Sequence, residues 1–275
     1  MIIKLGLVQM DAVYANPEAN LTRIASFVGA AVSQGADMVV LPEMVTTGYF
    51  VAEVLNKVAE PIPGPTTSRL GEIARANGVY IACGMLEREA QKFYNSAVLM
   101  SPTGSLVGSY RKVHLWADDN KYYTPGQRLG LFDTELGTVA LTICYDLMFP
   151  EYIRALILNG ARIVLNCTDW ITPESRIDMM GWNGRVTSAI ASARAIENRV
   201  VVAMANRVGV EGGCTSLGYS CICDQMGAVV ALVEQGEGIV TATVDLDLHG
   251  TVERLTEREA KLTYYRRWEA QAKEA

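Results

Sequence analysis

The sequence predicts an α/β fold in which two mixed β-sheets pack against each other and helices cover their outer faces. Apolar runs rich in β-branched residues, typical of buried strands, alternate with amphipathic segments that are typical of helices. Short turns containing glycine or proline join some neighbouring runs, as in β-hairpins. The chain has 275 residues, of which 50% are hydrophobic, so it can bury a large core without dividing into separate domains.

The first half of the chain begins with a predicted strand over residues 2–10 and an amphipathic helix over 18–34. One face of this helix carries five apolar side chains, those of Leu21, Ile24, Ala25, Val28 and Val32. A second helix over 66–77 ends at Gly78, the residue type that most often follows the last helical turn. Strands are predicted over 37–41, 79–85, 95–101 and 105–111. The turn between the last two contains Pro102, Thr103 and Gly104, which predicts a hairpin.

The second half contains an apolar strand from Thr138 to Ile143, followed by a tight connection. Pro150 then begins a predicted helix that extends to Asn159. A further helix is predicted over 183–198, and strands are predicted over 161–167, 199–206, 217–223, 228–233 and 238–245. From about Leu246 onward the chain is charged and helix-forming. Its aromatic residues are expected either to contact a partner or to pack on their own domain, and they are Tyr264, Tyr265 and Trp268.

Cys144 is the most informative position for function, because it directly follows the buried strand that ends at Ile143. A thiol at a strand-to-helix turn is expected to be partly exposed and close to backbone N–H groups that favour the thiolate. Such a placement is typical of a nucleophile. The alternative is an inert buried cysteine, since free cysteine is among the most buried residue types and the chain has six.

Two further segments carry ionisable groups at predicted strand ends. Glu43 follows the apolar strand that ends at Leu41, and Lys112 lies in a segment rich in large and cationic side chains. Ligands of α/β proteins collect at the carboxyl ends of strands. A carboxylate, an ammonium group and a thiol at three such ends can serve as a base, an oxyanion donor and a nucleophile. Taken singly, Glu43 would be a solvated acid and Lys112 a surface charge.

Taken together and in this order, these segments resemble the nitrilase superfamily of carbon–nitrogen hydrolases, which use a Glu-Lys-Cys triad. Its three signature regions match Leu41-Pro42-Glu43 with Gly48-Tyr49, Tyr110-Arg111-Lys112-Val113-His114-Leu115, and Ile143-Cys144-Tyr145-Asp146 with Phe149-Pro150-Glu151. Weaker matches are Gln9, Phe93-Tyr94-Asn95-Ser96, Thr124-Pro125-Gly126 and residues 193–199. Three motifs in a fixed order are far more specific than a single tripeptide.

The resemblance covers most of the chain, so it implies one hydrolase domain over residues 1–250 and a helical tail over 251–275, expected at a dimer interface. It also implies a four-layer α-β-β-α sandwich. The expected partners are a small-molecule amide substrate and further copies of the same chain, as a homodimer or a higher homo-oligomer. No cofactor is implied.

The resemblance also assigns roles to the matched residues in a reaction that passes through a covalent acyl intermediate. Glu43 is expected to take the thiol proton of Cys144, hand it to the departing ammonia, and then activate the hydrolytic water. Lys112 and the backbone N–H of Tyr145 are expected to stabilise the oxyanion. Lys112 is further expected to lower the pKa of the thiol.

Members of this superfamily usually carry a second glutamate a few residues after the lysine, and the chain departs from that pattern. Counting back from Thr124-Pro125-Gly126, the matching residue is Asp119, with Asn120 as the competing match. Aspartate is one methylene shorter than glutamate, which limits its reach. Asp119 is therefore a candidate catalytic residue, and the alternative is a solvated acid in a polar loop.

The residues that follow the nucleophile indicate the substrate class. Tyr145-Asp146 resembles the amidase branches, whereas many nitrilases have Trp-Glu at these two positions. Branches that act on carboxylate-bearing substrates place arginine three or four residues after the cysteine, where this chain has Leu147 and Met148. A substrate carboxylate would lack its planar cationic partner there. The sequence instead predicts an apolar acyl pocket lined by Tyr49, Trp116, Met148 and Trp170, with core packing as the alternative for each aromatic ring.

Composition limits the other function classes. A net charge of −6 argues against nucleic acid or an anionic membrane surface as the main partner. The N-terminal residues lack the pattern of a signal peptide, and no apolar run reaches membrane-spanning length. The cysteines show no metal-ligand spacing and only two histidines are present, so no metal site is expected. Reduced thiols in a cytoplasm fit this composition best.

The sequence thus predicts a cytoplasmic amidase that acts on small aliphatic or aromatic primary amides. The main alternative is a nitrilase, which would take a nitrile through a thioimidate at Cys144. A non-catalytic binding scaffold is disfavoured, because a binding module has no use for an unpaired carboxylate beside a thiol. A glutaminase subunit of a synthetase is also disfavoured, since the chain ends before a domain that would use the ammonia.

Overall fold

Two six-stranded sheets form the centre of the molecule in the computed structural model, which describes residues 1–174 and 182–247. In chain order the strands are β1 (Ile2–Gln9), β2 (Met38–Val40), β3 (Tyr80–Glu89), β4 (Lys92–Met100), β5 (Leu106–Arg111), β6 (Leu131–Thr134), β7 (Gly137–Ile143), β8 (Ile163–Thr168), β9 (Ile171–Pro173), β10 (Val201–Asn206), β11 (Val208–Glu211), β12 (Cys214–Leu217), β13 (Ser220–Cys223), β14 (Val229–Val233) and β15 (Gly238–Asp245). The α-helices are α1 (Pro17–Ser33), α2 (Leu55–Val58), α3 (Pro65–Asn77), α4 (Pro150–Leu158) and α5 (Gly184–Asn198). Short 3-10 turns span Ala52–Val54, Ala117–Lys121 and Cys144–Met148.

Both large sheets have a parallel centre and antiparallel edges. The strand order is β15-β1-β2-β3-β4-β5 in the first sheet and β14-β13-β10-β8-β7-β6 in the second. In the first, β1, β2 and β3 are parallel neighbours, and in the second β7, β8 and β10 are. The carboxyl ends of these central strands lie at one edge of each sheet, which is where side chains of different strands can meet.

The sheets pack face to face and the helices lie outside them, so the predicted four-layer α-β-β-α sandwich is confirmed. The layer between the sheets includes Leu5, Val40 and Ala97 from the first sheet and Leu141 and Leu165 from the second. Helices α1 and α3 cover the outer face of the first sheet, with apolar side chains that pack on β1, β2 and β3. Helices α4 and α5 contact each other, and α5 packs on β10 and β13 of the second sheet.

Local sequence signals explain the ends of several elements. The side chain of Asn16 accepts a hydrogen bond from the backbone N–H of Ala19, and Pro17 occupies the first turn of α1. Gly78 adopts a left-handed conformation directly after α3, as predicted from its position. Gly104 has a φ of 84° in the turn between β4 and β5, which confirms the predicted hairpin.

The third, three-stranded sheet was not predicted from the sequence. Its order is β11-β12-β9, and each of its strands is only three or four residues long. Such short segments carry little periodicity, and β9 and β12 pair across a long stretch of chain. The strand predicted over 217–223 is divided here between β12 and β13.

Two predictions fall on the C-terminal part of the chain. The helical tail over 251–275 and its aromatic residues lie outside the described residues. In the part of the chain that the structure describes, no helix combines the length and the hydropathy required to cross a bilayer.

Candidate active site

Glu43, Lys112 and Cys144 converge where three strands end. Glu43 lies three residues beyond the end of β2, whereas Lys112 directly follows β5 and Cys144 directly follows β7. Strand β3 packs closely against the backbone at Glu43. The N–H of Gly84 donates to the carbonyl of Pro42 at 3.1 Å, and a Cβ atom at Gly84 would lie 2.5 Å from the Cα of Glu43. This close approach requires glycine at position 84.

Glu43 and Lys112 form a fully buried ion pair. The Nζ of Lys112 donates to Oε1 of Glu43 at 2.8 Å, and neither side chain is exposed. The amide of Asn95 donates to the same oxygen at 2.6 Å. The backbone N–H of Asp169 donates to the other oxygen, Oε2, at 2.9 Å. Both carboxylate oxygens therefore accept hydrogen bonds, which fixes the orientation of the group.

Cys144 begins the 3-10 turn that follows β7, and its backbone adopts a φ of 44°. Its thiol donates a long hydrogen bond to the backbone carbonyl of Asp169, with Sγ and O 3.8 Å apart. The residue is only 5% exposed, so the expectation of a partly exposed thiol was wrong. The backbone of Asp169 thus contacts both the thiol and the carboxylate of Glu43.

Burial governs the ionisation of these groups. It raises the pKa of Glu43, although the charge of Lys112 opposes this. Burial, followed by the charge of Glu43, raises the pKa of the Cys144 thiol well above its ordinary value, although Lys112 acts to lower it as expected. Burial alone would lower the pKa of Lys112, but the charges of Glu43, Cys144 and Asp119 together raise it. Burial therefore favours the neutral thiol of Cys144, whereas the strand-end position had suggested the thiolate.

Asp119 also lies at this cluster. Its Oδ2 is 3.4 Å from the Nζ of Lys112 and accepts from the backbone N–H of Trp116 at 3.1 Å. Its Oδ1 accepts from the hydroxyl of Tyr49 at 2.8 Å. Asp119 is 6% exposed, whereas Asn120 is an exposed residue. Of the two residues that the sequence left open, the structure brings Asp119 to the lysine.

Asp146 connects the lysine segment to the nucleophile turn, a role that the sequence did not reveal. Its buried carboxylate accepts from the backbone N–H groups of Ile143 at 2.9 Å and His114 at 3.0 Å. The hydroxyl of Tyr110 donates to the same carboxylate at 2.7 Å. Because Ile143 precedes Cys144 and His114 follows Lys112 by two positions, Asp146 holds the two segments together.

A second buried cluster lies behind Asp169. The guanidinium of Arg207 donates from Nη1 to Oδ2 of Asp169 at 3.0 Å and from Nη2 to Oε2 of Glu211 at 2.8 Å. Asp11 is a third partner at 3.3 Å. Arg207 is 1% exposed, and it follows the last residue of β10. The sequence analysis did not identify Arg207, and its position at the end of an apolar strand was the one sequence signal for this ion-pair cluster.

A cavity of about 250 Å³ opens next to Cys144. The residues that line it are mainly apolar or aromatic, and they are Tyr49, Trp116, Cys144, Tyr145, Met148, Asp169, Trp170, Ile171, Thr172, Pro173 and Trp182. All four residues predicted for an acyl pocket are among them. Glu43 and Lys112 are not, because they lie buried beneath this surface. A larger cleft of about 760 Å³, which shares Trp182, does not include Cys144.

Of the two residues at the positions where other branches carry arginine, Met148 lines the cavity and Leu147 does not. The side chain of Leu147 is fully buried in the hydrophobic core, whereas Met148, the next residue of the 3-10 turn, remains 37% exposed. Among the described lining residues there is no lysine or arginine. Two arginines follow Trp170 within fifteen residues and could pair with a substrate carboxylate. Arg185 lies at the start of α5 and outside this lining, and Arg176 lies outside the described residues.

Within residues 1–174 and 182–247, no group of three or more histidine, cysteine, aspartate or glutamate side chains is arranged to hold a metal ion.

The sequence matches a known protein family and several characterised relatives. Residues 4–254 match the family described as carbon–nitrogen hydrolase. A nitrilase from Pyrococcus abyssi is 35% identical over 253 residues, which cover 90% of this chain and 91% of that protein. A 2-oxoglutaramate amidase from Bacillus subtilis is 33% identical and covers 88% of this chain and 90% of its own length.

Solved structures of an amidase share the fold of this chain. A cysteine-to-alanine variant of an amidase from Nesterenkonia sp., in complex with butyramide, is 25% identical with a TM-score of 0.80, and 97% of each chain is covered. A glutamate-to-glutamine variant of that amidase shows covalent addition of the acetamide moiety of fluoroacetamide at the active-site cysteine. It is 26% identical with a TM-score of 0.81, over 97% of this chain and 96% of the other.

Proposed function

The chain belongs to the carbon–nitrogen hydrolases of the nitrilase superfamily, and from this premise we propose which reaction it performs and on which substrates. Members hydrolyse carbon–nitrogen bonds other than peptide bonds. We propose that this enzyme converts small neutral primary amides, aliphatic or aromatic, to a carboxylic acid and ammonia. The observation that carries the proposal is the buried Glu43–Lys112 pair, which the Asp169 backbone connects to a cysteine at an apolar cavity.

In the first half-reaction, Glu43 accepts the thiol proton while the sulfur of Cys144 attacks the amide carbon. A carbon–sulfur bond forms and the carbonyl oxygen becomes an oxyanion. Collapse of this intermediate breaks the carbon–nitrogen bond, and the proton held by Glu43 passes to the nitrogen, which leaves as ammonia. The raised pKa of Glu43 supports this role, because a base is most effective when its pKa approaches the working pH.

Lys112 and the backbone N–H of Tyr145 are the proposed donors to the oxyanion. An ammonium group has three N–H donors. Two of those on Lys112 are directed at Glu43 and Asp119, so the third is free for the substrate oxygen. The role of Asp119 is then to hold the ammonium in place as the negative charge moves from Glu43 to the substrate.

In the second half-reaction, Glu43 takes a proton from water, which attacks the thioester carbon. The carbon–sulfur bond breaks and the carboxylic acid is released. The proton returns to the sulfur, so Cys144 and Glu43 regain their starting states.

The cavity lining supports the choice of neutral substrates. A substrate carboxylate would face Met148 and aromatic rings, with no lysine or arginine among the described lining residues. Asp169 also lines the cavity, and its carboxylate is paired with Arg207. Burying an unpaired anion costs several kcal/mol, and a partial cost of about 3 kcal/mol lowers kcat/KM roughly a hundredfold.

A nitrile is the second candidate substrate, because a 35% identical relative is named a nitrilase. Attack by the same cysteine would give a thioimidate in place of the tetrahedral oxyanion. We expect the nitrile to react more slowly than the amide of equal acyl length, since Tyr145-Asp146 is the pair that resembles amidase branches.

Ammonia release from a matched panel tests the proposal. The panel contains propionamide, benzamide, propionitrile and the monoamide of succinic acid, with detection of an acyl adduct on Cys144 by intact mass. We expect kcat/KM for the neutral amides to exceed that for the succinic monoamide by about a hundredfold. Equal or faster turnover of the carboxylate-bearing amide would rule out the neutral-substrate proposal while leaving the roles of Glu43, Lys112 and Cys144 intact.

We also propose that the enzyme works in a reducing cytoplasm and as a homodimer or higher homo-oligomer. All six cysteines are free, which supports a reducing compartment. The oligomeric state is measured by light scattering during size-exclusion chromatography, and a mass of 29.9 kDa would identify a monomer.

A further inference from the structure

The backbone of Asp169 stands between the two groups that exchange the proton in the proposed reaction. Its N–H donates to Oε2 of Glu43 at 2.9 Å, and its carbonyl accepts from the thiol of Cys144 with Sγ at 3.8 Å. A shift of this backbone would therefore change the orientation of the base and of the nucleophile together. A displacement of about 1 Å in such a group can reduce the rate a hundredfold.

Arg207 holds the segment that contains Asp169. Its Nη1 donates to the Asp169 carboxylate at 3.0 Å, and its backbone N–H donates to the carbonyl of Thr168 at 3.2 Å. The adjacent residue, Asn206, accepts from the N–H of Trp170 at 2.9 Å. These contacts join the ends of the parallel neighbours β8 and β10, so residues 168–170 are held from one side by residues 206–207.

The other arm of the same guanidinium reaches the loop that contains Tyr49. Nη2 of Arg207 donates to Oε2 of Glu211 at 2.8 Å, and Oε1 of Glu211 accepts from the N–H of Phe50 at 2.6 Å. The neighbouring Tyr49 lines the cavity and donates to Asp119. One planar group thus supports both the wall beside the thiol and the loop that contacts Asp119. A lysine cannot reproduce this fork, because its ammonium acts as a single point charge.

We propose that Arg207 is a positioning residue for the hydrolytic reaction, which acts through the Asp169 backbone on Glu43 and Cys144 and through Glu211 on the Tyr49 loop. It touches neither the substrate nor the reacting atoms. The nature of the reaction rests on the proposed function, whereas the contacts between Arg207 and the two segments do not.

The test compares Arg207→Lys with Asp11→Asn in the full chain. Arg207→Lys keeps the buried charge and removes the fork. Asp11→Asn removes the third carboxylate partner, whose side chain is 43% exposed and which contacts neither Glu43 nor Cys144. We expect Arg207→Lys to lower kcat for propionamide at least about tenfold, at a temperature where circular dichroism shows a fully folded protein, with a smaller change in KM. Asp11→Asn should retain the wild-type kcat.

The pH dependence of kcat/KM separates positioning from simple stabilisation. The hydrogen bond from the Asp169 N–H favours the charged form of Glu43, so its loss raises the pKa of Glu43. The acid limb of the profile should therefore move to higher pH in Arg207→Lys and stay in place in Asp11→Asn. The ionisable groups that face Glu43, namely Lys112, Asp169, Asp119 and Cys144, are unchanged in both variants.

The rate at which iodoacetamide alkylates Cys144, followed by peptide mass at several pH values, gives a readout that needs no turnover. If the wild type hydrolyses no amide, the proposed function fails, and a changed alkylation profile in Arg207→Lys still supports positioning. If Arg207→Lys does not fold, Asp169→Asn takes its place and is judged by kcat alone, which should fall by a smaller factor, because loss of the Asp169 charge itself shifts the pKa of Glu43. A lowered melting temperature together with wild-type kcat, acid limb and alkylation profile would overturn the proposal, as would equal losses in the Asp11→Asn control.

Discussion

Two buried cations are linked to Asp169, Lys112 through Glu43 and Arg207 directly, and they differ in their carboxylate partners. Lys112 has two carboxylate partners, Glu43 at 2.8 Å and Asp119 at 3.4 Å. Arg207 has three, at 2.8 to 3.3 Å from its guanidinium. Both side chains are buried to 1% exposure or less. The lysine lies beside the thiol, whereas the arginine lies one step further from it.

This difference shows how the choice of cation suits the partner. Lysine is a compact charge on a flexible stem with three rotatable donors, so one of its contacts can pass to a new oxyanion during the proposed reaction. Arginine presents a planar fork whose charge is permanent, which suits carboxylates that must stay in place. In the proposed reaction the charge distribution changes beside the lysine and stays constant beside the arginine.

The largest expected loss of activity comes from removing the thiol itself, which both clusters are proposed to support. Cys144→Ala should abolish amide turnover and leave the fold intact, because it removes the nucleophile and only a small volume. Turnover and the melting temperature are measured on the same preparation. Activity within tenfold of the wild type would remove Cys144 from its proposed role.

Removing the arginine charge should lower the stability of the fold in addition to kcat. Arg207→Met leaves the buried carboxylate of Asp169 unpaired, and the loss of one partner of a buried ion pair costs about 3–5 kcal/mol of unfolding free energy. Burial already raises the pKa of Asp169 in spite of Arg207, and in the variant it rises further.

The pH dependence of the unfolding free energy of Arg207→Met follows from the raised pKa of Asp169. A carboxyl group whose folded pKa lies above its unfolded value destabilises the fold at high pH, and the penalty is relieved as the pH falls through the folded pKa. Urea unfolding at pH 8 and pH 5 should therefore show a smaller deficit at pH 5. A deficit that is equal at both values would indicate that packing, rather than charge, dominates.

Changes within the lysine cluster should lower kcat most directly, because these residues are proposed to take part in the reaction. Glu43→Gln and Lys112→Met are each expected to lower kcat by at least about 10²-fold, through loss of the base and of one oxyanion donor. The double variant should lose far less than the product of the two factors, because the residues act as a unit. Lys121→Met is the control, since Lys121 forms a surface pair with Asp118. If the double variant showed the full product, the two residues would have independent roles.

The smallest expected effect is a shift in the pH dependence of kcat/KM of the wild-type enzyme. Burial raises the pKa of Glu43, so the acid limb of kcat/KM should have its midpoint above 4.5, the ordinary value for this group. Activity should rise with pH as Glu43 loses its proton. The limb reports a macroscopic pKa, since Glu43 and Cys144 interact. A midpoint at or below 4.5 would contradict the buried base.

The regular elements and the three strand-end groups could be predicted because their signals are local. Helix α1 was predicted over 18–34 and spans Pro17–Ser33, and β15 was predicted with the bounds it has. The motif around Cys144 combines an apolar strand with a turn and a helix-opening proline within a short stretch of sequence.

The supporting residues could not be predicted, because their contacts join distant parts of the chain. Asp169 and Arg207 are separated by 38 positions, and each looks like an ordinary polar residue after a strand. The 3-10 turn that buries Leu147 and leaves Met148 exposed is a backbone feature that residue type does not specify. Burial of the thiol is likewise a tertiary property.

The close contact between Gly84 and the Glu43 backbone has a consequence for how the sequence can vary. Position 84 carries no functional group, yet any side chain there would displace the residue that bears the proposed base. In a library selected for turnover, substitutions at Gly84 should be depleted as strongly as those at Glu43. A directed-evolution library that varies every position without a functional side chain would therefore lose active variants at Gly84, although Gly84 takes no part in the reaction.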